Sequence, residues 1–172
     1  MFTFEPANYI ENTPKDSEFF VIFEQNILTF SNENFIRPIS QDELNWSYVE
    51  EKERHFLGYL NNKPCFVLLA KKNQCELEHS VFIDMRSALG RMPDQLFDVI
   101  ARSIQIINWS KDHKFCGACG DELDRHPKER AYFKKDCIQC KGQLVYPRIS
   151  PCVITLIYNC LLYTSDAADD DV

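Results

Sequence analysis

Apolar positions fall in short runs over the first 85 residues and change to a helical period only once after that. Residues 19–23 and 27–30 are two such runs, parted by Glu24-Gln25-Asn26, and they predict a β-hairpin. Residues 55–60 and 65–70 flank Asn61-Asn62-Lys63 and predict a second hairpin. Pro64 fits the first residue of its returning strand, where a missing N–H does least harm. Residues 81–85 predict a further strand before Arg86-Ser87-Ala88-Leu89-Gly90-Arg91. From Pro93 to about Ser110 the period becomes helical, and Phe97, Ile100, Ile104 and Ile107 make one apolar stripe of the kind that packs as core. Proline suits a first helical turn and Asp94 the positive end of the dipole, while Lys111 and His113 sit near its negative end. No Gly/Ser/Pro linker follows, so the helix is expected to pack on the segment after it. Residues 153–158 are β-branched and aromatic-ended, which predicts one more buried strand.

The segment after the helix carries the clearest chemistry. Cys116-Gly-Ala-Cys119 is followed after seventeen residues by Cys137-Ile-Gln-Cys140. Each pair can place two sulfurs on one ion, and a hairpin between them brings the pairs together. Gly117, Gly120 and Gly142 leave little side-chain bulk where the backbone must curl round a metal. Four thiolates fill a tetrahedral shell, so the expected Zn²⁺, one per chain, holds structure and activates no water. Rubredoxin-like iron and four unligated core cysteines are the alternatives. Cys65, Cys75, Cys152 and Cys160 are scattered, and Cys65 and Cys152 lie in apolar runs where cysteine packs as a small hydrophobe.

Composition adds limits. A chain of 172 residues, 45% hydrophobic with 5 glycines, has room for one ordinary domain plus a small module and no fibrous or disordered bias. MFTFEPANYI has neither a basic region nor a long apolar core, and the longest apolar runs are too short to span a bilayer. A reducing, cytoplasmic setting without membrane contact is therefore expected. The net charge of −7 is uneven: residues 1–60 hold four Lys/Arg against eleven Asp/Glu, residues 111–148 nine against six. A basic ribbon suits contact with phosphate or nucleic acid. It equally suits offsetting the negative charge of four zinc-bound thiolates by Lys114, Lys134, Lys135 and Lys141.

The order of these features resembles a known family. A small β-rich domain leads to Leu89-Gly90-Arg91, then to a helix ending in Trp109, then to His113-Lys-Phe-Cys-Gly-x-Cys-Gly. After the second C-x-x-C comes Tyr146-Pro147-Arg148-x-x-Pro151-x-x-Ile154. Over roughly residues 15–158 this resembles the NADH pyrophosphatases, or NAD diphosphatases, of the Nudix superfamily. The resemblance implies an α+β fold: an N-terminal domain at 1–110 with a C-terminal helix, a four-cysteine zinc ribbon at 111–148, and at 149–159 the first strand of a Nudix α/β/α domain. It implies a homodimeric hydrolase that cleaves NADH or NAD⁺ to NMN(H) and AMP with Mg²⁺ or Mn²⁺, some members also acting on NAD-capped RNA. It matches Cys116, Cys119, Cys137 and Cys140 to zinc ligands, and Tyr146 and Glu129 to substrate contacts. Read without it, Tyr146 is an aromatic covering the ribbon's small core and Glu129 a solvated surface residue.

The sequence departs from the family at its chemistry. The Nudix box, G-x5-E-x7-R-E-U-x-E-E-x-G-U with U aliphatic, is absent, and so is the family's S-Q-P-W-P-F-P-x-S element. Glu50-Glu51 follow Trp46-Ser47 where the box needs Arg-Glu, so they are expected to be a solvated run. Without clustered carboxylates no ion bridges a diphosphate, and the chain as given is expected to be inactive. CLLYTSDAADD resembles a translated sequencing-adapter read-through, which makes 160–172 an expected artefact. The alternative function is a free-standing zinc-ribbon module that binds nucleic acid or protein.

Overall fold

The run EFFVIF at 18–23 places bulky apolar side chains on both faces of one strand, so both faces of its sheet need a cover. In the computed structural model, which describes residues 2–73, 77–134 and 141–148, that strand is β2 (Glu18–Phe23) of a seven-stranded sheet. Its neighbours are β1 (Phe4–Pro6), β3 (Asn26–Phe30), β4 (Ile39–Ser40), β5 (Val49–Leu60), β6 (Lys63–Ala70) and β7 (Ser80–Asp84). The strand order is β1-β5-β6-β2-β3-β7, with β4 paired to the start of β2. β2 and β6 run parallel; the other pairs are antiparallel.

Side-chain alternation splits the core in two. Phe20, Ile22, Cys65 and Val67 face Leu96, Val99, Ile100 and Ile107 of the helix α2 (Asp94–Asp112). Phe19, Val21, Phe66 and Leu68 face the other way, under Ile39 and Leu44, with Trp46 edge-on to Phe19 at 5.5 Å between centroids. The mixed α+β architecture with a β-rich sheet and one long helix agrees with the sequence.

Both expected hairpins form. Asn61 and Asn62 adopt φ of 50° and 65°, the left-handed pair a type I′ turn requires and asparagine tolerates. Gly58 has φ +144°, and a Cβ there would stand 2.1 Å from the Glu5 carbonyl oxygen. β1 reaches β5 only because position 58 has no side chain.

Several expectations need correction. The strand expected at 81–85 ends at Asp84, whose carboxylate accepts from Arg86 N and Ser87 N and so starts a short helix α1 (Met85–Ala88). β5 begins at Val49 and not at 55, because exposed Glu50, Glu51 and Lys52 lie on it without apolar alternation. The buried face of α2 is Leu96, Val99, Ile100, Ser103, Ile106, Ile107 and Ser110, with Phe97 and Ile104 on its flank. Two serines belong to the face because each hydroxyl is bonded: Ser103 donates to the Val99 carbonyl (2.7 Å), Ser110 to Glu53 (2.6 Å). β1 and β4 were not anticipated. The strand expected at 153–158, the segment 160–172, and Cys137 and Cys140 lie outside the described residues. Among the described residues no helix is long and apolar enough to cross a membrane.

Beyond α2 the chain pairs β8 (Asp124–Arg125) with β9 (Tyr132–Phe133), and bridges join Phe115 to Glu122 and Tyr132 to Val145. Its small core is Leu123 and Tyr132 with Cys116 and Val145, closed by Trp109 from α2. The helix does pack on this segment.

Candidate functional site at the junction of sheet, helix and cysteine segment

Cys116 and Cys119 sit on one tight turn. Gly120 N donates to the Cys116 carbonyl (2.8 Å), Cys116 N donates to the Asp121 carbonyl (2.8 Å), and Gly120 takes φ +77°. A turn closed in this way by a positive-φ glycine leaves both half-buried thiols on one short loop. That donor chemistry fits a thiolate-bound metal such as Zn²⁺. Trp109 adds a second sign: its indole Nε1–H is buried beside Cys116 and has no acceptor among the described residues.

The junction is held by a polar cluster that the sequence did not announce. β5 slips its register against β6 between Glu50 and Arg54, the kind of irregularity that re-aims side chains, and Glu53 lies inside it. Its carboxylate accepts from Ser110 Oγ (2.6 Å) and pairs with Lys114 Nζ (3.2 Å) and Arg125 Nη2 (3.9 Å). Ser110 also meets the Tyr132 hydroxyl at 2.7 Å. Burial lowers the pKa of His55 to about 4, so the ring is neutral at pH 7. Arg125 has only donors, so its Nη2, 3.2 Å away, makes His55 Nε2 an acceptor. The His55 ring, with Nε2 3.5 Å away, Ser110 and Lys114 all face the Glu53 carboxylate, which is held far below the usual carboxylate range. A neutral ring that accepts from Arg125 has no proton at Nε2 to give, so Ser110 and Lys114 are what stabilise the anion. A carboxylate so fully engaged is a tie between domains and a poor general base.

Arg130 is the second tie. Its Nη2 donates to the Ala7 carbonyl (2.8 Å) and to the Phe56 carbonyl, fixing the cysteine segment to the sheet. Burial, with the charge of Arg102 nearby, lowers its pKa to about 10, which still leaves it charged at neutral pH.

Tyr146 and Glu129, seventeen positions apart, meet here: the Tyr146 hydroxyl donates to Glu129 Oε2. Glu129 is exposed, and the Tyr146 ring is 46% exposed, outside the small core made by Trp109, Leu123 and Tyr132. Tyr146 is therefore not that core's cover. Both residues line a groove of about 810 Å³, counted to its open mouth, together with Arg102 and Ile106 of α2, Arg130 and Arg148. An exposed aromatic face beside several cations suits a planar, anionic ligand. The structure thus brings Tyr146 and Glu129 onto one groove and Cys116 and Cys119 onto one turn. Glu53, His55, Arg125 and Arg130 escaped sequence reasoning, because Glu53 stands in the unbroken charged run 50–54, which reads as a solvated surface.

A sheet carrying one long helix, with a C-x-x-C segment docked on that helix's end, defines a two-part α+β protein. Residues 17–109 match the family described as "NUDIX-like: NADH pyrophosphatase-like rudimentary NUDIX domain", and the chain belongs to that family. It is 33% identical over 102 residues to the NAD-capped RNA hydrolase NudC of Deinococcus radiodurans, a match covering 59% of this chain and 34% of that protein. It is 30% identical over 103 residues to the protein of the same name from Pseudomonas fluorescens, covering 60% and 36%. For that of Pseudomonas syringae the figures are 29% over 113 residues, 62% and 36%. The chain spans about a third of the length of the curated relatives it matches.

Proposed function

We propose that this chain is the N-terminal and zinc-ribbon part of an NAD(H) diphosphatase. The whole enzyme hydrolyses NADH or NAD⁺ to NMN(H) and AMP, acts on NAD-capped RNA as a related substrate, and works as a cytoplasmic homodimer. The observation that carries this reading, beside family membership, is the Tyr146–Glu129 hydrogen bond on the wall of one groove. These are the two residues for which the resemblance implied substrate contact, and their meeting supports a shared role. The ring of Tyr146 packs against a ring of the dinucleotide, and Glu129 fixes the hydroxyl that orients it.

Cys116, Cys119, Cys137 and Cys140 hold one zinc, which when bound supplies a closed cross-link that fixes the segment 111–148. The hydrolytic step needs clustered carboxylates to hold Mg²⁺ or Mn²⁺ at the diphosphate. The 172 residues contain no Nudix box, so this chain alone does not hydrolyse NADH. Reading the DNA beyond codon 158 tests the assignment. An in-frame Nudix box supports it; a genuine stop codon after the acidic segment favours a binding module instead.

A further inference from the structure

We propose that the open edge of β7 is an interface between two copies of this chain, paired antiparallel about a two-fold axis at Phe82 so that their sheets run on as one. The edge shares no residue with the groove of Tyr146 and Glu129. It stands on the geometry of β7 and does not need the diphosphatase reading.

The two edges of the sheet differ. β1 has three residues, ends in Pro6 and carries exposed Glu5, the short, charged, proline-bearing kind of edge that discourages pairing. β7 has five residues with no proline or lysine among them, and Val81 stands 41% exposed on it. Among the described residues β7 pairs only with β3. One bond gives the direction of its remaining backbone groups. Ser31 N donates to the His79 carbonyl (2.7 Å), in the same register as Thr29↔Val81 and Ile27↔Ile83. Bonded pairs alternate along an antiparallel ladder, so Val81 and Ile83 bond to β3 while the N–H and C=O of Phe82 point away from it. Those two groups meet no partner among the described residues, which makes them a template for a second strand.

The residues around Phe82 say which strand. In a copy turned about that axis, Phe82 faces its own counterpart and exchanges both backbone bonds with it. Exposed Val81 then faces the counterpart of Ile83 on the same side of the sheet and is covered by it. Glu78, whose side chain is 90% exposed, lies four positions before Phe82, and exposed Arg86 lies four after. Each therefore faces the other's counterpart, and the axis makes this charge pairing twice. A register centred on Val81 sets Glu78 against the counterpart of Asp84, two like charges, so charge selects the register centred on Phe82. The edge complements itself, which favours a second copy over an unrelated strand.

Sedimentation velocity of the 172-residue chain over a range of concentrations tests the edge. The chain dimerises reversibly, weakly because so short an edge buries less than a permanent interface does, and the Phe82 amide gains protection from hydrogen exchange in the dimer. Val81→Lys changes an exposed side chain, keeps the fold and leaves a monomer. Glu78→Arg and Arg86→Glu each raise the dimer dissociation constant about tenfold, two exposed ion pairs being replaced by like charges. The double variant Glu78→Arg/Arg86→Glu restores it. A chain that stays monomeric at every concentration, a dimer that survives Val81→Lys, or a double variant no tighter than the single ones overturns the proposal. The diphosphatase reading is tested separately by hydrolysis in a protein that carries a Nudix box. Cleavage there with a monomeric chain here sinks only the edge; an edge dimer here without cleavage there sinks only the reading.

Discussion

Tyr132 stacks on Trp109 with ring centroids 4.8 Å apart and an interplanar angle of 27°, and its hydroxyl lies 2.7 Å from Ser110 Oγ. One residue of the cysteine segment therefore engages α2 twice, through its ring and through its oxygen. Because Ser110 also donates to Glu53, the contact chain runs from the cysteine segment through the helix to β5.

Tyr132→Phe keeps the stacking and removes the hydroxyl. It should cost about 1 kcal/mol, the net worth of an ordinary hydrogen bond. Trp109→Ala removes the ring that closes the small core and should cost about 3–5 kcal/mol. Urea denaturation of the two variants checks both values, and a Trp109→Ala loss no larger than that of Tyr132→Phe would show that the ring does not hold the junction.

Acid should loosen the same junction. The pKa of His55 falls from its ordinary 6.5 to about 4 in the folded chain, chiefly through burial. Between those values the unfolded chain binds a proton that the folded chain refuses, so stability is lost as pH falls from about 6.5 towards 4, by on the order of 3 kcal/mol. Glu53, also depressed, adds a loss as pH drops below its ordinary 4.5. His55→Gln should flatten the upper part of this profile. An unchanged slope between pH 6.5 and 4.5 in that variant contradicts the assignment.

The backbone at Gly58 makes a cleaner test of the sheet edge. Gly58→Ala places a methyl group against the Glu5 carbonyl at a positive φ. The variant should lose about 1–3 kcal/mol and expose residues 4–6 to rapid hydrogen exchange, while the zinc content stays the same. Full protection of those amides in the variant would mean that β1 does not depend on the glycine.

Much of this was legible from the sequence, and the misses share a cause. Both hairpins, the long helix and its docking on the cysteine segment follow from local apolar runs and turn chemistry. β1 has only three residues and pairs with β5 across more than fifty positions, so no local pattern marks it. The helix face was misjudged at Ser103 and Ser110 because hydropathy cannot register a buried hydroxyl that has found a partner. Tyr146 and Glu129 were named from family resemblance, yet their pairing required a fold that brings together residues seventeen positions apart. Glu53, His55 and Arg125 come from two separate segments, and nothing in one-dimensional order brings them together.

The cysteine segment should fold only with its metal. Structural zinc contributes about 10–16 kcal/mol of apparent binding energy in finger peptides, so Cys119→Ser or Cys137→Ser should release the ion and unfold residues 111–148. Cys75→Ser should keep it. Elemental analysis also separates zinc from iron, which would colour the protein. Full zinc occupancy in Cys137→Ser contradicts the four-cysteine site.

The central claim is that these residues form the substrate-contacting, non-catalytic part of an NAD(H) diphosphatase. Its most direct test is chromatographic assay of NADH with Mg²⁺ or Mn²⁺, using the 172-residue chain and a protein extended in frame through a Nudix box. The account predicts no cleavage by the first and metal-dependent release of NMNH and AMP by the second. In the extended protein Tyr146→Ala should lower kcat/KM by about tenfold or less, since aromatic stacking is worth on the order of 1 kcal/mol. Cleavage by the 172-residue chain, none by the extended protein, or an unchanged kcat/KM in Tyr146→Ala would contradict it.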